Sequence, residues 1–168
     1  MSDGVILVGI PGSGKTSVAA LVAQALGREL VDTDQLVSEI LDASLPELFA
    51  TDEGRYRFQA EELRVSLAAV TSEAVVALGS AAVLNASLRN ALDPTATWWL
   101  ETSVTVATRR LGLASLGMET LISVRQELEA DLHARVQWYE EIAGHRIQTD
   151  RLSAADVAAA IIAQREDA

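Results

Sequence analysis

Apolar positions follow two rhythms along this chain. Short unbroken runs that stop at glycine or at a polar pair read as buried strands, and apolar residues three and four positions apart read as helices. The first run, Gly4 to Ile10, predicts a strand that leads directly into a helix from about Gly14 to Leu26. Val18, Leu21, Val22 and Leu26 would lie on its core face, with Gly27 as C-cap. Glu29 to Asp32 predicts a short second strand, followed by a helix that Thr33 or Asp34 would cap. A brief helix over Leu45–Phe49 has Pro46 near its start, where a missing N–H costs nothing. The stretch from Asp52 to Thr71 predicts a long helix with Phe58, Leu63, Leu67 and Val70 inward. Arg55, Arg57, Glu61, Glu62 and Arg64 would occupy its other faces. Ala74 to Leu78 is a third strand, ending at Gly79-Ser80. Then come a short helix over Asn85–Leu92, a strand over Thr97–Leu100 and a helix from Ser103 to about Leu111. Residues 112–123 hold two glycines and little periodicity, which predicts a mobile loop. A helix from about Val124 to Ile142, a strand over His145–Thr149 and a helix from Ser153, capped by that serine, to about Gln164 complete the chain.

Strands and helices alternate throughout, with no repeat and no linker. The expectation is one α/β domain over residues 1–168, with five parallel strands between two helical layers. Ligands in such sheets bind at the carboxyl ends of the strands. The residues to watch are therefore those after Val8, after Val31 and after Leu78.

The first of these ends carries Gly9-Ile10-Pro11-Gly12-Ser13-Gly14-Lys15-Thr16, a complete Gly-x-x-x-x-Gly-Lys-Thr phosphate loop between a strand and a helix. Its glycines let consecutive N–H groups converge on one anion at the positive end of the helix. Gly12, Ser13, Gly14, Lys15, Thr16 and Ser17 would bind ATP, with the Lys15 ammonium on the β- and γ-phosphates and the Thr16 hydroxyl on Mg²⁺. Lys15 is the only lysine; every other side-chain cation except histidine is arginine. The compact ammonium is kept for the position where a P-loop uses a point charge.

Composition narrows the reading. Hydrophobic residues make up 49% and charged residues 22%, as in ordinary globular chains. A net charge of −11 argues against nucleic acid as partner, although a cleft can be locally positive. The absence of cysteine removes disulfides, thiolate metal sites and cysteine nucleophiles. No basic leader and no membrane-length apolar run is present, so a cytoplasmic protein without a membrane partner is expected. With no heptad or apolar stripe evident, so is a monomer. His133 and His145 lack a suggestive partner, and Trp98-Trp99 reads as core.

The second strand end carries Asp32-Thr33-Asp34, one carboxylate for the Mg²⁺ shell and one for a substrate hydroxyl. Together with the phosphate loop, Leu48-Phe49-Ala50, Leu78-Gly79, Arg109-Arg110 and Arg135-x-x-x-Tyr139, this pattern resembles the shikimate kinase family over nearly the whole chain. The resemblance implies a P-loop kinase fold akin to nucleoside monophosphate kinases, with a mobile lid over about 112–123. It implies ATP-dependent phosphorylation of a hydroxyl on shikimate, a small hydroxy acid. Lys15 and Asp34 would be catalytic, with Asp34 on the substrate hydroxyls and Asp32 near Mg²⁺. Gly79 and Arg135 would meet the substrate, Arg135 at its carboxylate, and Arg110 and Arg151 would lie near the adenine.

Three departures accompany the resemblance. The family's Gly-Gly-Gly at the end of the third strand is Gly79-Ser80-Ala81 here, and side chains there would fill space or restrict the backbone. A Phe-Arg pair at the start of the long helix is replaced by Tyr56-Arg57 before Phe58, leaving Arg57 as the candidate arginine. The family's lid arginine has no counterpart in Leu116-Gly117-Met118-Glu119-Thr120-Leu121, and no cation lies between Arg110 and Arg125. Beside an active shikimate kinase, the sequence therefore allows a weakly active or non-catalytic nucleotide binder, and a kinase for another small hydroxy acid.

Overall fold

The apolar runs become the middle of a sheet. In the computed structural model, which describes residues 4–166 with the side chain of Ala114 excepted, five strands pair in parallel. They are β1 (Val5–Val8), β2 (Leu30–Asp32), β3 (Val75–Ala77), β4 (Thr97–Glu101) and β5 (His145–Gln148), in the order β2-β3-β1-β4-β5. β1 is central, with Ile6 opposite Val76 on one side and Thr97 on the other. β1 and β3 are buried at every residue, which is why each reads as an unbroken apolar run.

Successive side chains leave the sheet on opposite faces. Ile6, Val8, Val76, Leu78 and Trp99 pack beneath α4 (Asp52–Val70), α5 (Ala86–Ala91) and α7 (Met118–Ile142). Val5, Leu7, Val75, Trp98 and Leu100 pack beneath α1 (Lys15–Leu26) and α8 (Ala154–Glu166). Trp98 and Trp99 are core residues, and His145 stacks on Trp98 with 3.9 Å between ring centroids. A smaller cluster of Val37, Leu48, Phe58 and Val65 ties α2 (Thr33–Leu41) and α3 (Leu45–Phe49) to α4, and α6 (Val104–Arg110) follows β4. Among the described residues, no helix is long and apolar enough to cross a membrane.

Four expectations shift, each for a physical reason. The buried face of α1 is Val18, Ala19, Val22 and Ala23, leaving Leu21 partly exposed, because small alanines let the helix lie close to the sheet. α2 is capped neither by Thr33 nor by Asp34 but by Asp32, whose carboxylate accepts from the Gln35 N–H at 3.2 Å. Glu62 is buried in α4, four residues after Phe58 on the same face. The loop expected over 112–123 is shorter, because α7 already begins at Met118. The first half of that helix has almost no core to face: its buried residues are Leu128, Arg135, Tyr139 and Ile142. Without burial there is no periodicity to read, and Glu119 in the first turn favours the helix through its dipole.

The α3–α4 contact leaves no room for a side chain at Gly54. An added Cβ would collide with the Leu48 carbonyl, a backbone atom that cannot swing away. Gly54→Ala is expected to destabilise by about 1–3 kcal/mol, seen as a lower urea midpoint at unchanged m. An unchanged midpoint would contradict this packing.

Candidate active site

The phosphate loop is built by conformations that only glycine adopts cheaply. Gly12 and Gly14 have φ of 79° and 93°, and a Cβ on Gly12 would lie 2.6 Å from the Ala107 carbonyl oxygen. The chain thereby turns from β1 into α1 with its first amides facing a cleft of about 880 Å³. Gly12, Ser13, Gly14, Lys15, Thr16 and Ser17 all line it. Asp34, Glu62, Asp131 and Arg135 gather towards one end, with Asp32 and Ser80 beside Thr16 and Lys15.

Lys15 donates from Nζ to the carbonyls of Gly9 (2.8 Å) and Ile10 (3.1 Å) and to the Ser80 hydroxyl (3.0 Å). Those bonds use all three of its hydrogens. Burial pulls its pKa down to about 8, opposed by Asp34 and Asp32 and reinforced by Arg135. Thr16 Oγ1 donates to Asp32 Oδ2 at 2.5 Å, so the two expected metal ligands are adjacent. Among the described residues no cluster of three or more metal-binding side chains exists. A hydroxyl beside one carboxylate suits Mg²⁺, which keeps several waters and takes its remaining ligands from phosphate oxygens.

The ends of β2 and β3 converge through Thr33 and Gly79. The Gly79 N–H donates to Thr33 Oγ1 at 2.8 Å, joining the end of β3 to the start of α2. A Cβ on Gly79 would overlap Asp34 Oδ1 and lie 2.6 Å from Glu62 Oε1, so two carboxylates flank this glycine. Burial raises the pKa of Asp34, with Lys15 opposing and Asp32 adding to the rise. Burial likewise pushes Glu62 up to about 7, assisted by Asp34 and opposed by Arg135. Arg135 is itself buried and pairs with Asp131, one turn earlier on α7, at 2.8 Å. Tyr139 OH donates to the Ser80 carbonyl at 3.2 Å, so the loop after β3 is tied to α7. Ser80 and Ala81 keep negative φ; among described non-glycine residues only Asp42 does not. The backbone restriction expected from losing two glycines is therefore not felt.

At the other end, Arg110 lines the cleft with Thr149, Leu152 and Ser153. Its guanidinium donates to Thr149 O at 2.7 Å, Thr149 Oγ1 at 3.0 Å, Ser13 O at 3.3 Å and Leu152 O at 3.4 Å. It thus fastens the phosphate loop to the turn after β5.

Two sequence candidates do not join this constellation. Arg57 is exposed on α4 and lies outside the cleft lining, because the neighbouring Phe58 holds the inward phase and one residue rotates a helical side chain by about 100°. Arg151 is exposed on the turn after β5, also outside the lining. Arg125 donates to Thr105 on α6 at 3.3 Å rather than reaching the cleft, and Glu119 is exposed. Sequence reasoning missed Glu62 and Asp131. Both had a signal, one turn from Phe58 and one turn from Arg135 respectively.

The shikimate kinase family profile matches residues 11–166. The shikimate kinase of Mycobacterium ulcerans is 32% identical over 168 residues, covering 99% of this chain and 91% of that protein. That of Symbiobacterium thermophilum is 36% identical, covering 97% and 96%. Among solved structures, shikimate kinase from Acinetobacter baumannii in complex with shikimate superposes with a TM-score of 0.84 at 29% identity, covering 99% of this chain and 94% of that one.

Glu62 offers a test of the site's electrostatics. The folded chain keeps its carboxyl proton to higher pH than the unfolded chain, whose glutamate titrates near 4.5. Its contribution to stability is complete below that value and is lost as pH rises through about 7. Glu62→Gln cannot lose a proton. Relative to wild type the variant is expected to gain roughly 1–3 kcal/mol between about pH 5 and pH 8 in urea unfolding. A difference that stays constant with pH would mean that Glu62 ionises normally.

Proposed function

This chain belongs to the shikimate kinase family, and from that premise we propose that it transfers the γ-phosphate of ATP to a hydroxyl of shikimate. One observation carries the reading to this chain: the phosphate loop and the Asp34–Arg135 end open on a single continuous cleft. A nucleotide and a small hydroxy acid held at its two ends would meet in the middle, at Lys15.

On this reading the amides of the phosphate loop and the start of α1 hold the polyphosphate, and Lys15 meets the β- and γ-phosphates. Asp34 accepts a hydrogen bond from the acceptor hydroxyl and turns its lone pair towards the phosphorus; its raised pKa brings it nearer to taking up the proton. Gly79 leaves the space in which acceptor hydroxyls can approach Asp34. Arg135, buried and already oriented by Asp131, pairs with the acceptor carboxylate. Thr16 and Asp32 would hold Mg²⁺, which when bound neutralises charge on the phosphates. Arg110 fixes the surface against which the adenine end rests. We further propose that the chain works as a monomer in the cytoplasm.

The direct test is ADP release with Mg-ATP, with and without shikimate. Shikimate is expected to raise the rate well above background, and equal rates would contradict the proposal. Asp34→Asn is expected to lower kcat by about 10²–10⁴-fold with little change in nucleotide affinity. Arg135→Ala is expected to raise KM for shikimate by tenfold or more, on the order of a lost charge-assisted pair. The lid offers a gain of function. Gly117 has φ −56° and open space around an added Cβ, so Gly117→Arg adds a cation without backbone strain. It is expected to raise kcat at least about tenfold, a fraction of the roughly 10³–10⁵ that well-placed phosphate-directed arginines supply; no gain would show that this segment does not close over the phosphate.

A further inference from the structure

The Ser80 hydroxyl is a group that the proposed chemistry does not use, although it touches the central cation of the cleft. Of the three oxygens that accept from Lys15, two are carbonyls of the phosphate loop itself, Gly9 and Ile10. They sit on the same short segment as Lys15 and can keep their bonds when it turns. Ser80 stands on the loop after β3, on the acceptor side. Its backbone is pinned, because Tyr139 donates to its carbonyl and Ala82 N–H donates to the Gly79 carbonyl at 3.1 Å. Only its side chain is free to respond.

With all three ammonium hydrogens engaged, Lys15 cannot meet a phosphate without giving one up. The bond to Ser80 is the one that reaches off the phosphate loop. We propose that Ser80 is a positioning residue that holds Lys15 in the nucleotide-free cleft and is exchanged for phosphate oxygen when nucleotide binds. Releasing Lys15 leaves the Ser80 oxygen with an open lone pair in the cleft that Asp34 and Arg135 also line, able to accept from an acceptor hydroxyl. Nucleotide and acceptor are thereby coupled through one hydroxyl, and the coupling is reciprocal. The acceptor half of this inference rests on the shikimate reading; the latch on Lys15 does not.

The test is calorimetric titration of Mg-ADP into the full chain, alone and in the presence of shikimate, for wild type, Ser80→Ala and Ser80→Thr. Ser80→Ala removes the bond that nucleotide must break, and Mg-ADP alone is expected to bind roughly tenfold more tightly. Ser80→Thr keeps the hydroxyl and is expected to match wild type, which separates the bond from mere side-chain volume. In wild type, saturating Mg-ADP is expected to tighten shikimate binding several-fold, and in Ser80→Ala that factor falls below about twofold. Unchanged or weaker Mg-ADP binding by Ser80→Ala would overturn the proposal, as would a Ser80→Thr variant that shifts like Ser80→Ala. If Mg-ADP responds as expected but wild type binds no shikimate, the latch stands and the acceptor assignment fails.

Discussion

A single ammonium group beneath a phosphate loop organises this molecule. Lys15 is held by two carbonyls at the start of the loop and by a hydroxyl from across the cleft, and burial makes its charge costly enough to pull its pKa to about 8. That cost is offset by Asp34 and Asp32, which stand at the end of β2. Putting those carboxylates there requires β2 to lie two strands from β1 with β3 between, the order observed. Topology and electrostatics are therefore one constraint: the parallel sheet brings three strand ends to one edge, and the charges gathered there balance around Lys15.

The same constraint explains the small residues around the cleft. Gly79 has carboxylates on both sides, and Gly12 lies against the backbone of α6, so neither position has room for Cβ. Ser80 and Ala81 occupy ordinary backbone conformations, which is why the chain accommodates them where the family it resembles has glycine. The outcome is a pocket whose shape survives and whose hydrogen bonding is altered, by one hydroxyl directed at Lys15.

What the sequence made legible was local. The phosphate loop is contiguous, so its turn, its helix and its anion-binding amides could all be read from neighbouring residues. The strands of the central sheet were legible because burial on both faces leaves no polar interruption. The rest depended on phase and distance. Arg57 stands one helical position from Phe58, which faces inward, and that rotation puts it on the exposed side of α4, outside the cleft lining. Glu62 looked like part of a solvated face because it stands among other charges; its spacing from Phe58 marks the inward phase, but its neighbours Gly79 and Asp34 are distant in sequence. The bond between Lys15 and Ser80 spans 65 residues and has no signature in either segment. The start of α7 was misplaced because a helix that stands away from the core has no apolar stripe.

The segment proposed as a lid is one place where the chain departs from the family pattern in chemistry. Its residues between Arg110 and Arg125 carry no cation, and Arg125 is engaged with α6. Charge on the transferring phosphate would then be met by Lys15, the loop amides and the Mg²⁺ proposed at Thr16 and Asp32. The central claim is that the acceptor hydroxyl, and not water, receives that phosphate. The most direct measurement is to follow γ-phosphate-labelled ATP in the presence of Mg²⁺ and shikimate and to separate the labelled products. Label is expected in a phosphate ester of shikimate, in an amount equal to the ADP formed. Label found only as inorganic phosphate would contradict it.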